Sequence, residues 1–358
     1  MLYKRLVVKV GTNVLARPDG LLDITSISQL VDQLAALKAK GIDIILVSSG
    51  AVGAGRSMMD VPSSLNKVVR RQVLSAIGQV RLMEIYRQLF SNHQLFCAQV
   101  LATKEDFRDR QHYINMQNCF LALLRDRVIP VVNENDVVAI TELMFTDNDE
   151  LAGLVAAMIN ADGLVILSSV AGVYDGPIDD PQSKVIPEID PHDKKWQSVI
   201  QPSRSTFGRG GMHTKFRIAQ KAAKVGIPTF IGDGRQTGIL LSLIEGQFPG
   251  TRFIPQTGLS NVKKWISYNE LPQKGSVYIN KGAELVLRST DMISSLLPVG
   301  AIRIEGDFEK GDLLKIYNEE GEAIGLGIAQ YSAVTAQQYV GKKGKKALVH
   351  YDYLVIGE

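Results

Sequence analysis

Cysteine is nearly absent from this chain. Its 358 residues include two, Cys97 and Cys119. Two thiols in apolar stretches make no disulfide framework, and the expectation is a pair of core thiols in a reducing compartment. Histidine is almost as scarce. His93, His112, His192, His213 and His350 are scattered, none at a metal-ligand spacing from cysteine or carboxylate, so no protein-held metal is expected. Long apolar runs are missing too, and nothing approaches the ~20 residues of a membrane span. The apolar stretch Leu6 to Val10 is too short for a signal peptide and is followed by Gly11-Thr12-Asn13, so a cytoplasmic protein away from any membrane is expected. Net charge is small: 40 basic against 37 acidic residues leave +3, which argues against a nucleic-acid footprint. The pattern Gly-x4-Gly-Lys-Ser/Thr occurs nowhere, excluding an ordinary P-loop protein. No Cys–His or Ser–His–Asp arrangement stands out, so nucleophilic hydrolysis lacks support.

What is present is an alternation of short apolar runs and amphipathic stretches. Leu6 to Val10, Ile42 to Val47, Leu95 to Leu101, Val128 to Val132, Leu164 to Leu167 and Gly226 to Ile231 predict strands. Helices are expected over 25–40, 68–90, 115–125, 149–160, 213–225 and 238–244. Such alternation implies an α/β fold, a mostly parallel sheet with helices on both faces. Residues 171–206 read as a long excursion with a short hairpin, and 247–275 as a connection. Beyond them, Gly-punctuated β-rich runs at 302–304, 313–316, 323–328 and 348–356 suit a small β-barrel. The expected division is 1–258, a linker 259–275, and a second domain 276–358.

Four polar or Gly-rich segments end predicted strands or open predicted helices: Lys9-Val-Gly-Thr, Ser48-Ser-Gly-Ala-Val-Gly, Asn133-Glu-Asn-Asp with Asp147-Asn-Asp, and Arg209-Gly-Gly-Met-His-Thr-Lys215. Taken singly, each is also a turn, a helix cap or a solvated lysine. Together they gather at the carboxyl edge of an open sheet, where such folds bind ligands. Lysines beside glycine-rich N–H loops suit phosphate, and phosphoryl transfer needs positioning and charge neutralisation more than covalent chemistry.

These same segments, in this order, resemble the glutamate 5-kinases of the amino acid kinase family. The run Leu296-Leu-Pro-Val-Gly, then Gly306-Asp-Phe-Glu-Lys-Gly-Asp, then Gly321-Glu-Ala-Ile-Gly-Leu-Gly, looks like a PUA domain. The resemblance covers almost the whole chain, and Asn133-Glu-Asn-Asp136 is its most specific part. It implies that Lys9 and Lys215 contact the transferring phosphoryl oxygens and that Asp149 holds the two lysines. Gly11, Gly50 and Gly211 would lend close backbone approach to phosphates. Ser49, Asp136 and Asn148 would bind L-glutamate, with Asn133 nearby. ATP would lie against Lys9, Gly11, Ser168, Ser169, Arg209, Gly210, Gly211, Met212, His213, Thr214 and Lys215, with Mg2+ carried on its phosphates. Proline as inhibitor and a homo-oligomer are further implications.

The chain departs from the family at Ser168-Ser169, where Thr-Asp is usual, and at Arg209 and His213, where a small residue and Ser are usual. His350-Tyr351-Asp352 stands for the usual His-Arg-Asp. The rival readings are a sister kinase acting on N-acetylglutamate, whose acceptor has no free ammonium for Asp136, and an RNA-binding protein using the second domain. From residue 274 onward ten Lys+Arg face eleven Asp+Glu, which argues against strong phosphate-backbone affinity.

Overall fold

The computed structural model describes residues 3–62, 64–139, 145, 147–193, 211–256, 273–289 and 294–356. The chain divides into two compact units, Met1–Gly258 and Leu259–Glu358. The first unit runs β1 (Arg5–Val10), α1 (Thr12–Leu15), α2 (Ile24–Ala39), β2 (Asp43–Ser48), α3 (Ala51–Met58), α4 (Lys67–Ser91), β3 (Cys97–Ala102), α5 (Lys104–Arg108), α6 (Arg110–Arg125), β4 (Ile129–Glu134), α7 (Asn148–Met158), β5 (Gly163–Ser168), β6 (Glu188–Ile189), α8 (Met212–Lys224), β7 (Thr229–Asp233), α9 (Ile239–Ile244) and β8 (Thr251–Phe253).

Its eight strands form one sheet in the order β3-β4-β2-β1-β5-β7-β8-β6. From β3 to β7 every pairing is parallel. The expected alternation is therefore the observed architecture. Successive side chains of a strand face opposite sides, and β1 shows what this does. Leu6, Val8 and Val10 enter a core shared with α2, α4 and α9. Lys9 falls on the opposite face, the one α7 covers. The strands β1, β2 and β5 are neighbours whose carboxyl ends nearly coincide: Gly11 N–H donates to Leu167 O at 3.1 Å and Ser49 N–H to Val10 O at 3.3 Å.

Three expectations need correcting. The stretch read as a connection from 247 contains β8, antiparallel to β7. Phe253 is fully buried there and packs edge-on against Phe216, so proline and glycine content concealed a strand. Neither cysteine is a core thiol: both are free, Cys97 half-buried and Cys119 exposed. Helix α6 also begins five residues before the expected start, capped by Asp109, which accepts from His112 N–H at 2.8 Å. The hairpin expected in the excursion is present as an antiparallel bridge between Tyr174 and Val185, but residues 194–206 lie outside those described.

The second unit holds a five-stranded sheet in the order β10-β9-β11-β12-β13. These strands are β9 (Gly275–Ile279), β10 (Ala301–Gly306), β11 (Leu313–Tyr317), β12 (Ala323–Ala329) and β13 (Val349–Ile356). All pairings are antiparallel except β9 with β11. Helices α10 (Lys281–Arg288) and α11 (Ala333–Tyr339) accompany them, and Val277, Phe308, Ile316 and Val349 are among its core residues. No described helix of the chain is long and apolar enough to cross a membrane.

The tightest packing in the first unit joins α3 to α4. A Cβ on Gly78 would lie 1.8 Å from Ala51 O, and one on Gly55 2.0 Å from Leu74 O. Both are backbone atoms, so neither helix accommodates a methyl without moving. Alanine gains up to about 1 kcal/mol of helix propensity over glycine, but overpacking typically costs about 1–3 kcal/mol. Gly78→Ala is therefore expected to lower the urea midpoint at unchanged m-value. A midpoint equal to or above wild type would show that the helices yield.

Candidate active site

Asp149 is the centre of the site. It lies in the first turn of α7, fully buried, with Asp147 as N-cap accepting from Asp149 N–H at 2.9 Å and Glu150 N–H at 3.2 Å. One carboxylate oxygen stands 2.5 Å from Lys9 Nζ and the other 2.9 Å from Lys215 Nζ. The two lysines come from the end of β1 and the first turn of α8, 206 positions apart in sequence, and are themselves almost wholly buried. Burial acts to raise the Asp149 carboxyl, but the two ammonium charges overcome it and hold the group below the usual carboxylate range. Burial pulls Lys9 below the ordinary lysine value despite Asp149. At Lys215 burial acts in the same sense, but Asp149 outweighs it and the net shift is upward.

Asn148, one residue before, joins a second polar cluster. Its Nδ2 donates to Ser49 Oγ at 3.0 Å, Asn133 Oδ1 at 3.0 Å and Ser48 O at 3.3 Å. Ser49 sits between β2 and α3, where Gly50 takes φ +108° as N-cap, a backbone conformation open to glycine and few other residues. Asp136 lies further along the same edge and is nearly buried. Its Oδ1 accepts from Arg71 Nε at 3.0 Å and Nη2 at 2.7 Å, and its Oδ2 from Ser75 Oγ at 2.8 Å.

Sequence reasoning placed helix α4 over 68–90 but missed the side chains on it that hold these residues. Arg71, Ser75 and Gln79 follow at i, i+4 and i+8 on α4, one face of the helix. Gln79 Oε1 accepts from Asn133 Nδ2 at 3.0 Å. Two turns on, Tyr86 OH meets Ser48 Oγ at 2.8 Å. Arg71 Nη2 also stands 3.6 Å from Glu134 Oε2, and Glu134 Oε1 accepts from Phe145 N–H at 2.9 Å. The available signal was a polar stripe at helical spacing where a core-facing helix normally carries apolar residues.

At the other end of the site, α8 opens at Gly211, and among the described residues no side chain caps its first turn, a place that suits an anion. Met212 and Thr214 are half-buried there and His213 is exposed; Arg209 and Gly210 lie outside the described residues. A Cβ on Gly11 would meet Leu167 O at 3.4 Å and Lys9 Nζ at 3.5 Å, so the bare glycine keeps the approach to the lysine clear. Ser168 O accepts from Gly234 N–H at 2.8 Å, and Ser169 O from Arg235 Nη2 at 2.7 Å. Arg235 is also paired with Asp233, which tethers the Ser168-Ser169 segment to the end of β7.

Residues 4–233 match the amino acid kinase family and residues 275–351 the PUA domain. The chain belongs to the amino acid kinase family. It is 48% identical over 357 residues to a glutamate 5-kinase of Bacteroides thetaiotaomicron, covering 99% of each chain. It is 47% identical to a glutamate 5-kinase of Chlorobaculum tepidum over 354 residues, covering 99% of this chain and 98% of that one. A solved carbamate kinase from Giardia lamblia bound to AMP-PNP shares the fold, with a TM-score of 0.53 and 17% identity over 72% of this chain and all of that one.

Asp147, the N-cap beside Asp149, is also displaced in its ionisation. Burial, then the charge of Asp149, pushes it from 3.8 up to about 7. Between those values the folded state keeps a proton that the unfolded chain has released, so this group makes stability fall as pH rises through the window and level off above about pH 7. The depressed Asp149 acts oppositely, and only at lower pH: its contribution is fully present above 3.8 and is lost as pH falls through the folded value. Asp147→Asn retains a capping side chain and is expected to flatten the decline between about pH 4.5 and 7. Urea unfolding free energies of both proteins across that range check it, and equal slopes would place the proton elsewhere.

Proposed function

We propose that the enzyme transfers the γ-phosphoryl group of ATP to the γ-carboxylate of L-glutamate, giving L-glutamyl 5-phosphate, the first step of proline synthesis. The observation that carries this reading is the buried Lys9–Asp149–Lys215 bridge beside the Asn148–Ser49–Asn133 cluster. It fits an acceptor that needs charge neutralisation and no base. A γ-carboxylate has a reference pKa of about 4.3 and is ionised at neutral pH. Its oxygen attacks the γ-phosphorus, the bond to the β-phosphate oxygen breaks, and ADP departs with that electron pair. No proton is transferred.

Lys9 and Lys215 are assigned to the phosphoryl oxygens, where fixed cations act most strongly in a site that excludes water. Asp149 offsets the repulsion between them and holds both ammonium groups at one place. Gly11, Gly211 and the first turn of α8 form the cradle for the phosphates, and Ser168 and Ser169 border the nucleotide. Mg2+ would enter on the ATP phosphates and neutralise their charge. Ser49, Asn133 and Asn148 would orient the acceptor. Asp136 is the partner for its α-ammonium, which favours glutamate over N-acetylglutamate. The same pairing suits proline, and competitive inhibition by proline at the acceptor pocket belongs to this reading.

Purified protein with ATP and Mg2+ is expected to release ADP only when L-glutamate is added, and to yield hydroxamate when hydroxylamine traps the acyl phosphate. N-acetylglutamate, L-aspartate and UMP complete the panel. Lys215→Ala and Asp149→Ala are expected to lower kcat by about 10²–10³, the scale of losing one preorganised electrostatic contact. Turnover with another acceptor alone would overturn the glutamate assignment, and full activity in either variant would move the phosphoryl site.

A further inference from the structure

Helix α4 presents Arg71, Ser75 and Gln79 along the edge of the site, each about one turn, or about 6 Å of rise, from the next. Gln79 meets Asn133, which is bonded to Asn148 and through it to Ser49. Arg71 and Ser75 meet Asp136. The stripe thus runs about 12 Å along the helix, from the phosphoryl-transfer end of the acceptor region to its far end.

Arg71 is bound there in a lopsided way. Nε and Nη2 both donate to the same oxygen, Asp136 Oδ1, while Ser75 takes Oδ2. A guanidinium carries five N–H donors in a fixed fork, and among the described residues Nη1 meets no acceptor. The side chain is 33% exposed where Asp136 is 5% exposed. A pocket opens at this point, walled by Arg71, Asp136, Lys67, Val68, Gln72 and Ala139. At the other end of the stripe, the buried Gln79 Nε2 likewise has no acceptor among the described residues. The helix therefore offers a spare donor at each end.

We propose that Arg71 is a specificity residue that binds the α-carboxylate of the acceptor while Asp136 binds its α-ammonium. The pocket then selects a zwitterionic α-amino acid over analogues carrying only one of the two charges. This inference rests on the glutamate reading above. The pairing has a physical logic. Asp136 alone would accept any amine of suitable length. A buried carboxylate without a partner is also costly, and Arg71 supplies that partner before the acceptor binds. An incoming ammonium and carboxylate on one carbon then extend the Asp136–Arg71 pair into a square of alternating charge, so neither group loses its counter-charge.

The test is steady-state kinetics on the full chain with L-glutamate, together with inhibition constants for two competitors. Glutarate lacks the α-ammonium and 4-aminobutyrate lacks the α-carboxylate. Arg71→Gln is expected to raise KM for L-glutamate about 10- to 100-fold, the scale of a charge-assisted contact, with kcat changed by less than about threefold. It weakens glutarate comparably and leaves 4-aminobutyrate unchanged. Asp136→Asn gives the crossed pattern, weakening 4-aminobutyrate and sparing glutarate. Arg71→Lys, which keeps the charge and loses the fork, recovers part of the lost affinity. A glutamate KM in Arg71→Gln within about threefold of wild type, or equal weakening of both competitors, would overturn the proposal and leave Arg71 as a brace for Asp136. Absence of glutamate turnover in the wild type is a separate outcome, and overturns the functional reading itself.

Discussion

A single carboxylate between two buried ammonium groups is the constraint on which the site depends. Two lysine charges brought this close repel, and burial penalises each of them further. Asp149 makes the arrangement tenable, and it does so from a fully buried position. Its place in the first turn of α7 is equally suited to it, since the helix N-terminus favours negative charge. Removing Asp149 would leave two uncompensated buried ammonium charges, which is worse than never having had the cluster. The bridge is better understood as a device for holding two cations in place than as a source of stability.

The sheet is what brings the three together. Lys9 reaches the α7 face because β1 alternates, placing Val8 and Val10 in the opposite core. Lys215 arrives from a helix far along the chain. The parallel pairing of β1 with β2 and β5 sets their carboxyl ends side by side, so loops distant in sequence share one edge. Helix α4 then runs along the Asn133 and Asp136 side, and the glycines at 55 and 78 let it approach α3 at backbone contact distance. Packing that close fixes where Arg71, Ser75 and Gln79 can reach.

Much of this was legible in the sequence. The core strands are short β-branched runs with abrupt polar ends, and periodicity finds them. The residues joined by the Asp149 bridge, and those around Asn148, were recoverable from strand-end placement plus the resemblance, because loops at one sheet edge must converge. Other features were not legible, for identifiable reasons. Strand β8 hides in a segment rich in proline and glycine, since its burial comes from tertiary contact of Phe253 with Phe216 rather than from local pattern. Cys119 was misplaced because an apolar neighbourhood in sequence does not say which face of α6 a residue occupies.

The α4 stripe is the more instructive omission. Arg71 and Ser75 look like ordinary surface positions of an amphipathic helix, and nothing local distinguishes a solvated arginine from one held against a buried carboxylate. The distinction comes from Asp136, sixty-five residues away, whose burial requires a partner. The inference from acid to base is physical: a carboxylate buried at the carboxyl edge of a parallel sheet implies a donor on whatever element covers it. The covering element is α4, and of its basic residues Arg71 is the one whose fork reaches Asp136. A buried acid at a strand end therefore predicts a donor on the covering helix, even where the helix sequence by itself does not declare one.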